Sequence, residues 1–474
     1  MRLLNLIRHR PPLSSTPEDE EKARQHTLSL SVVEGSCWSF MAGFGDTYIA
    51  PFAIFLQAGN RAIAFLSTMP ALLGALAQLA GASMTDRLGH RRTLIVPCTA
   101  VQALAYLPLF LLPFFFPSWG VLPIIAFTAL AIFAGNMAAP AWISLMGDVV
   151  PEARRGDYFG HRGRIIILFV FLATLSAGGT LSLFQNAGHT WGGFGVLFAV
   201  AALARLISVR LLALHYDPPY KPPHEAYFSF WDFIRRMPHS NFARFALFGA
   251  LMNGSITVAS PFFSVYMLRD LHWSYSQFTL NAAVFLATQF FLIRWWGRIG
   301  DRHGNRVVIM TTGLVLPVLP LLWTLSSNFV YLMTVQVLSG TFWAGFSIAT
   351  QNFTYDAVTP PKRARITAYV SILNGLCTIA GGTLLGAYLA NHLPASFSIG
   401  PYRADYTSSL PGVFVVSAIL RFLVVLIFLP MFKEVRSAVH IHPVNLLLRL
   451  AGGELLAGFF GQFILSPSRK RERK

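Results

Sequence analysis

The sequence predicts an all-α integral membrane protein of twelve transmembrane helices, arranged as two related six-helix bundles. Three observations lead there: an apolar composition, twelve long apolar runs, and short motifs that recur in order about 210 residues apart. Of the 474 residues, 54% are hydrophobic and 12% charged, with a mean hydropathy of +0.54. That charged fraction is about half of the roughly 25% usual in soluble domains. A soluble chain of this length needs more polar surface, whereas a bilayer accepts helices of about 20 mainly apolar residues. The runs are continuous and lack the alternation of barrel strands, so helices must satisfy the backbone.

The runs, numbered span 1 to span 12, cover residues 30–56, 62–83, 93–116, 119–147, 164–186, 191–213, 242–268, 274–297, 307–326, 329–355, 366–391 and 411–432. Residues 1–29 read as a cytoplasmic leader. MRLLNLIRHRPP has too short an apolar run for a signal peptide, and STPEDEEKARQ reads as solvated. Spans 1 to 6 form a first bundle over 30–213, and spans 7 to 12 a second over 242–432. Between them, 214–241 is a Pro-rich cytoplasmic linker ending in FSFWDFIRRM (228–237), expected as an amphipathic interfacial helix. The tail, 433–474, is basic. Its segment VNLLLRLAGGELLAGFFGQFIL (444–465) could cross a membrane by length but carries Arg449, a glycine pair and Glu454. A thirteenth span would also send SRKRERK to the side that the other basic segments avoid, so an interfacial helix is expected.

Charge sets the orientation. Of 37 Lys and Arg, all but four fall on the side that carries both termini; Arg61, Arg269 and Arg403 lie on the other face, and Arg421 is the one basic residue set deep in a span. Basic residues collect in cytoplasmic loops, which puts both termini of a multi-pass plasma-membrane protein in the cytoplasm. The net charge of +17 is then a topology signal and implies no nucleic-acid partner. Trp119, Trp191, Trp273, Trp295 and Trp296 stand at span ends as an interfacial belt. Cys37, Cys98 and Cys377 lie inside apolar spans and read as small buried hydrophobes, with no disulfide or metal site.

The repeats come next. ASMTDRLGHRR (82–92) follows span 2 and GRIGDRHGNR (297–306) follows span 8; Asp86, Arg87, Gly89 and Arg91 match Asp301, Arg302, Gly304 and Arg306 at an offset of 215. DVVPEARRG (148–156) matches DAVTPPKRA (356–364) at 208, and TYIAPF (47–52) in span 1 matches TVASPF (257–262) in span 7 at 210. Three matches in order describe one six-helix unit used twice, as in two-bundle secondary transporters. On these residues the chain resembles the major facilitator superfamily, whose pattern G-x-x-x-D-R-x-G-x-R falls between helices 2 and 3 and again between 8 and 9. The second copy is complete from Gly297 to Arg306, while the first has Ala82 for glycine and His90 for arginine, so helix packing there is expected to differ slightly. The stretch WISLMGDVVPEARRGDYFGHRGR (142–164) is similar to a bacterial branch without an assigned substrate, which implies the bacterial inner membrane.

These loops read as a conformational gate. Asp86 and Asp301 can accept hydrogen bonds from helix N-termini, where the dipole favours negative charge. The resemblance implies that spans 11 and 5 of the opposite bundle present those ends. Arg87, Arg91, Arg155, Arg302 and Arg306 can pair with Asp148 and Asp356, and Gly297 completes the motif. Switchable pairs suit two states. The alternative is topology alone, with arginines as anchors and aspartates for solubility.

The resemblance also implies that spans 1, 4, 7 and 10 line a central cavity. Their costly polar residues are Asn136 in span 4, Asn253 and Thr257 in span 7, and Gln336, Trp343 and Gln351 in span 10. An acid near the bilayer centre costs about 2.5–3.5 kcal/mol on insertion scales, so it faces a cavity or a partner. Asp46, in GFGDTYIAPF, is such an acid, expected at mid-helix to bind a proton or a cationic group. Glu34 reads as interfacial, near the cytoplasmic end of span 1. Arg421 could meet an anionic substrate or an acid, although the last helix is peripheral in this architecture.

No HExxH, GxSxG or P-loop pattern occurs, so an enzyme or an ATP-driven pump is not expected. Span 4 carries no arginine, SAGGT (176–180) lacks the glycine–proline signature of antiporters, and HYDPPYKPPHE (215–225) is no sugar-porter signature. The expected function is a secondary active transporter of a small-molecule substrate, monomeric in the lipid bilayer, driven by protons and needing no cofactor or metal. The alternative is a transporter-like receptor or channel without coupled transport.

Overall fold

The structure, a computed structural model, describes residues 17–151, 155–218, 235, 240–357, 363–399, 402–406, 408–435 and 446. The expected interfacial helices at 228–237 and 444–465 lie outside these residues, save Arg235 and Leu446. Eleven described helices are long and apolar enough to cross a membrane, and they correspond to spans 2 to 12. They are Asn60–Leu88, Arg92–Phe115, Leu122–Val149, Tyr158–Asn186, Thr190–Ala213, Asn241–Asp270, Tyr275–His303, Asn305–Leu325, Phe329–Thr354, Tyr369–His392 and Leu410–Met431. Span 1 is helical too, which completes the twelve-helix architecture. It runs in two pieces, Pro17–Phe44 and Ile49–Phe55, joined by a 3-10 turn at Asp46–Tyr48.

Span 1 differs from expectation at both ends. The helix starts at Pro17, inside the segment read as a solvated leader. Proline suits a first helical position, and Glu18, Asp19 and Glu20 in the first turn suit the positive end of the helix dipole. Ala23 and Thr27 are buried, and Thr27 Oγ1 accepts the Tyr216 N–H at 2.8 Å. Asp46 is not mid-helix: the helix breaks there.

The break has a repeated cause. Pro51 follows the interruption of span 1, and Pro261 follows the interruption of span 7, which runs as Asn241–Thr257, Ser260–Val265 and a π-type turn at Tyr266–Asp270. Proline donates no N–H, and its ring clashes with the preceding turn. TYIAPF and TVASPF therefore encode the same bend twice. Span 9 is divided around Pro317, and span 11 carries a π-type turn at Ala380–Gly386. There the backbones of spans 7 and 11 touch: a Cβ on Gly381 would collide with the Gly254 carbonyl oxygen. The two motif loops share a second backbone feature, Gly89 and Gly304 having φ of 65° and 91°. Glycine takes that left-handed region without steric cost.

One element departs from the all-α expectation. Between spans 11 and 12, strands β1 (Ser396–Ile399) and β2 (Tyr402–Asp405) pair antiparallel, with Ser396 opposite Asp405.

Contacts divide the chain into two compact units, cut within spans 7, 8 and 12 and just before span 11, and not at the 214–241 linker alone. The first unit holds spans 1 to 6 with Asn253–Ala283 and Ala364–Val413. The second holds Trp231–Met252, Val284–Arg363 and the chain from Phe414. Within the first unit, the span ends opposite the motif loops are tied across the sequence repeat. Asn60 Nδ2 donates to Ala390 O at 3.3 Å, Arg269 Nη1 donates to Asn60 Oδ1 at 3.1 Å, and the hydroxyls of Thr68 and Thr383 bond to each other. An aromatic core anchors the second piece of span 1: the Phe52 ring lies 5.0 Å from Phe194 and 5.3 Å from Phe198. In the second unit, Phe353 plays the same part against Phe245 at 4.3 Å and Phe432 at 5.3 Å.

Candidate functional site

The interruption of span 1 presents Asp46. Gly45 lets the chain pass close to span 3, since a Cβ there would stand 2.7 Å from Tyr106 Cε1. Tyr106, fully buried, donates its hydroxyl to Asp46 Oδ1. Asp46 is exposed as a residue, and its carboxylate is held by a buried donor. Two residues on, the buried Tyr48 donates to Thr174 O at 3.2 Å and meets the Thr279 hydroxyl at 2.7 Å.

The strongest electrostatic feature lies closer to the motif loops. Glu34 is 4% exposed, not interfacial as its position in the sequence implied. Its Oε1 accepts from Arg205 Nη1 at 3.1 Å and from the Ser208 hydroxyl at 2.7 Å, and its Oε2 from Arg162 Nη2 at 3.3 Å. Arg205 also donates from Nε to Gln102 Oε1 at 2.9 Å, and Arg162 from Nε to Ser31 O and Oγ at 3.2 and 3.1 Å. Spans 1, 5 and 6 therefore meet on one carboxylate, and span 3 joins them through Gln102 on Arg205. Sequence reasoning counted Arg205 among the basic residues of a helix end. The structure buries it, so Arg421 is not the one arginine deep in a span. A signal was available: Arg205 and Arg421 lie 216 residues apart, close to the repeat offset. Removing one partner of a buried ion pair costs about 3–5 kcal/mol, because the other charge is left uncompensated.

This cluster edges a cavity of about 300 Å³ inside the first unit, walled by Glu34, Arg162, Arg205, Trp38, Trp142 and Thr99 among others. The Arg162 guanidinium carbon lies 4.5 Å from the centre of the Trp142 ring.

The gate loops are built differently in their two copies. Arg91 is buried, pairs with Asp148, and donates from Nε to Ser144 Oγ at 3.0 Å; Asp217 Oδ1 lies 3.7 Å from its Nη1. Asp217 Oδ2 accepts the Arg92 N–H at 3.1 Å, at the start of span 3. In the second copy Glu434 Oε2 accepts the Arg306 N–H at 2.7 Å, at the start of span 9, and Arg306 Nε donates to Phe432 O. Asp356 accepts from Asn305 Nδ2 at 2.9 Å. Asp217 and Glu434, each just past the last helix of its half, thus cap the helix that follows the motif, where a carboxylate suits the dipole. Neither was singled out from the sequence. The side chain of Arg155 lies outside the described residues.

The remaining expected site residues have separate partners. Asn136 accepts from Gln78 Nε2 at 3.1 Å on span 2, and Asn253 Nδ2 reaches Asn374 Oδ1 at 3.4 Å. Thr257 Oγ1 returns to backbone carbonyls of spans 7 and 11, among them Thr378 O at 3.1 Å. Gln336, Trp343 and Gln351 belong to the second unit; Gln351 is exposed, and the other two are half-buried. Among the described residues no group of histidine, cysteine, aspartate and glutamate could hold a metal ion.

The family model described as Major Facilitator Superfamily matches the chain twice, over residues 36–259 and 245–465. No curated protein matches the sequence. Among solved structures, a point mutant of the nucleoside transporter NupG superposes with a TM-score of 0.66 at 14% identity, over 86% of this chain and 100% of that one. A bacterial homologue of the human lysosomal transporter Spinster, inward-facing and occupied, gives 0.63 at 14% identity, over 88% and 97%. An auto-inhibited POT family peptide transporter gives 0.63 at 11% identity, over 88% and 99%.

Proposed function

The chain belongs to the Major Facilitator Superfamily and is a multi-pass membrane transporter of small molecules; on that premise we propose a proton-coupled secondary carrier that works by alternating access, with Asp46 as its proton-binding carboxylate. The observation that carries the proposal is the environment of Asp46: an acid at a break in span 1, on an exposed residue, with its carboxylate held by the buried Tyr106 hydroxyl. A carboxylate placed so can take up and release a proton while its partner stays in place. Broken helices are where such carriers bind coupling ions and solutes, and spans 1 and 7 break at matching positions. Solute contact falls to the polar residues of spans 4, 7 and 10, namely Asn136, Asn253, Thr257, Gln336, Trp343 and Gln351. Gating falls to the two motif loops, with Asp86 and Asp301 engaging the opposite bundle in one of the two states. In this reading the protein is a monomer of the bacterial inner membrane, and both termini are cytoplasmic, an orientation that the basic bias of the loops supports.

The test begins with a thermal-shift panel of nucleosides, amino acids, dipeptides, sugars and organic acids on the purified protein. A ligand at about 100 times its Kd stabilises by about 2.7 kcal/mol. Uptake of the hit into proteoliposomes is then measured with and without an inward proton gradient. Accumulation is expected to require the gradient, and Asp46→Asn to lose accumulation while exchange at equal concentrations continues. Gradient-driven accumulation that survives Asp46→Asn refutes the assignment.

A further inference from the structure

We propose that the cavity beside Glu34, Arg162 and Arg205 binds an organic monoanion, a carboxylate on a flat aromatic or apolar body, and that the transported solute, which meets the polar residues of spans 4, 7 and 10 elsewhere on its path, is of this chemical class. Only the second half of that statement rests on the carrier reading above.

The charge of the wall selects the ligand. Two guanidinium groups face one carboxylate, which leaves one positive charge beside a cavity of about 300 Å³. That volume is at the lower end of small-molecule sites. A cation would meet net repulsion there, and a dianion would exceed the charge available. One anionic group balances it.

The two arginines are not equivalent. Arg205 is the more tightly held: Nη1 holds Glu34 and Ser208 and Nε holds Gln102, all at 3.1 Å or less, although its Nη2 makes no hydrogen bond among the described residues. Arg162 is held on one edge only, through Nε to Ser31 and through Nη2 to Glu34 at 3.3 Å, the longest contact of the cluster. Its Nη1 makes no hydrogen bond among the described residues, and its side chain is 13% exposed. A planar guanidinium offers paired donors in the geometry of a carboxylate, so Arg162 is the anchor. Glu34 keeps Arg205 and Ser208 when Arg162 turns to the ligand, and no charge is stranded.

The rest of the wall accounts for the body of the ligand. Trp38 and Trp142 flank the charged cluster, and Trp142 already carries the Arg162 guanidinium 4.5 Å from its ring centre. Ile95, Ala138 and Ile166 supply apolar surface. Thr99, whose buried hydroxyl has no hydrogen-bond partner among the described residues, stands on the same wall as a further polar group.

Two tryptophans in the wall make binding directly observable. Intrinsic fluorescence of the solubilised full chain is titrated with indole-3-acetate, phenylacetate and 4-hydroxybenzoate, with the corresponding amides, and with phenethylamine. At least one carboxylate is expected to quench saturably, its amide to bind at least about tenfold more weakly, and the amine not to compete. Arg162→Gln is expected to weaken the carboxylate at least about tenfold and Arg298→Gln to leave it unchanged. Arg162→Lys keeps the charge beside Glu34, and so protects the fold, but loses the planar fork; it is expected to bind several-fold more weakly. The proposal is overturned if no carboxylate of the panel binds, if amides bind as tightly as acids, or if both Arg162 variants bind as the parent does. Proton-driven uptake of another solute together with a silent carboxylate titration would remove this inference and leave the carrier reading standing.

Discussion

Each half of the molecule closes on a helix with one buried arginine, Arg205 in span 6 and Arg421 in span 12, yet the two meet different chemistry. Arg205 pairs with the buried Glu34, while Arg421 donates from Nε to the Ser417 hydroxyl and from Nη1 to Leu316 O, both at 3.1 Å. Even the geometry is shared: span 6 reaches span 3 through Gln102, and span 12 reaches span 9 through Leu316. Glu34 has no acidic counterpart at the repeat offset, since the residue 210 positions after it is Arg244. Duplication has kept the scaffold and the arginine, and the first half has built a carboxylate cluster with a cavity on that frame. Chemistry in this fold sits where the repeat is broken.

The sharpest way to break this comparison is to neutralise both arginines in turn. Arg205→Gln leaves Glu34 buried with a single, longer ion pair and is expected to cost about 3–5 kcal/mol. Arg421→Gln removes donors from a hydroxyl and a carbonyl and is expected to cost about 1–3 kcal/mol. Thermal unfolding in one detergent ranks the two, and equal losses would mean that the ion pair has no special weight.

A smaller contrast separates Gly81, which immediately precedes the first motif copy, from Gly297, which opens the second. A Cβ on Gly81 would collide with the Met137 carbonyl oxygen, so spans 2 and 4 approach backbone to backbone. At Gly297 a Cβ would meet nothing within 4 Å among the described residues. Gly81→Ala is expected to destabilise by about 1–3 kcal/mol through overpacking, and Gly297→Ala by less than about 0.5 kcal/mol. Ala82, the first copy's counterpart of Gly297, is itself exposed, so both copies leave room for a methyl group at the motif's glycine position. A large loss for Gly297→Ala would refute that reading.

What the sequence made legible was whatever is local or repeated. Apolar length located the spans, and the paired TYIAPF and TVASPF stretches marked the two bends through their prolines. The charged cluster was invisible for the opposite reason. Glu34 and Arg205 are 171 residues apart, and neither has a local pattern to reveal that packing buries it. Arg205 lies near enough to the end of span 6 to read as an anchor. The helical segment from Pro17 was hidden by its charge, because acidic residues that favour solvent also favour a helix N-terminus. Strands β1 and β2, four residues each, are too short to show a period.

The smallest expected effect concerns a titrating group that only the first half possesses. His215 follows span 6, and the residue 216 positions later, at the end of span 12, is Met431. His215 donates from Nδ1 to Leu211 O at 2.8 Å, and its buried Nε2 has no hydrogen-bond partner among the described residues. Burial, the largest influence, holds its pKa below the ordinary histidine value, outweighing the Leu211 contact. As pH falls below about 6.5, the unfolded chain binds a proton at this position while the folded chain does not. Stability from this residue is therefore flat above that pH and declines as pH drops toward the lowered folded value. His215→Met, copying the second half, is expected to leave the melting temperature at about pH 8 nearly unchanged and to flatten its decline between about pH 6.5 and 5. A parallel decline in parent and variant would show that acid sensitivity arises elsewhere and that the two span ends respond alike to protons.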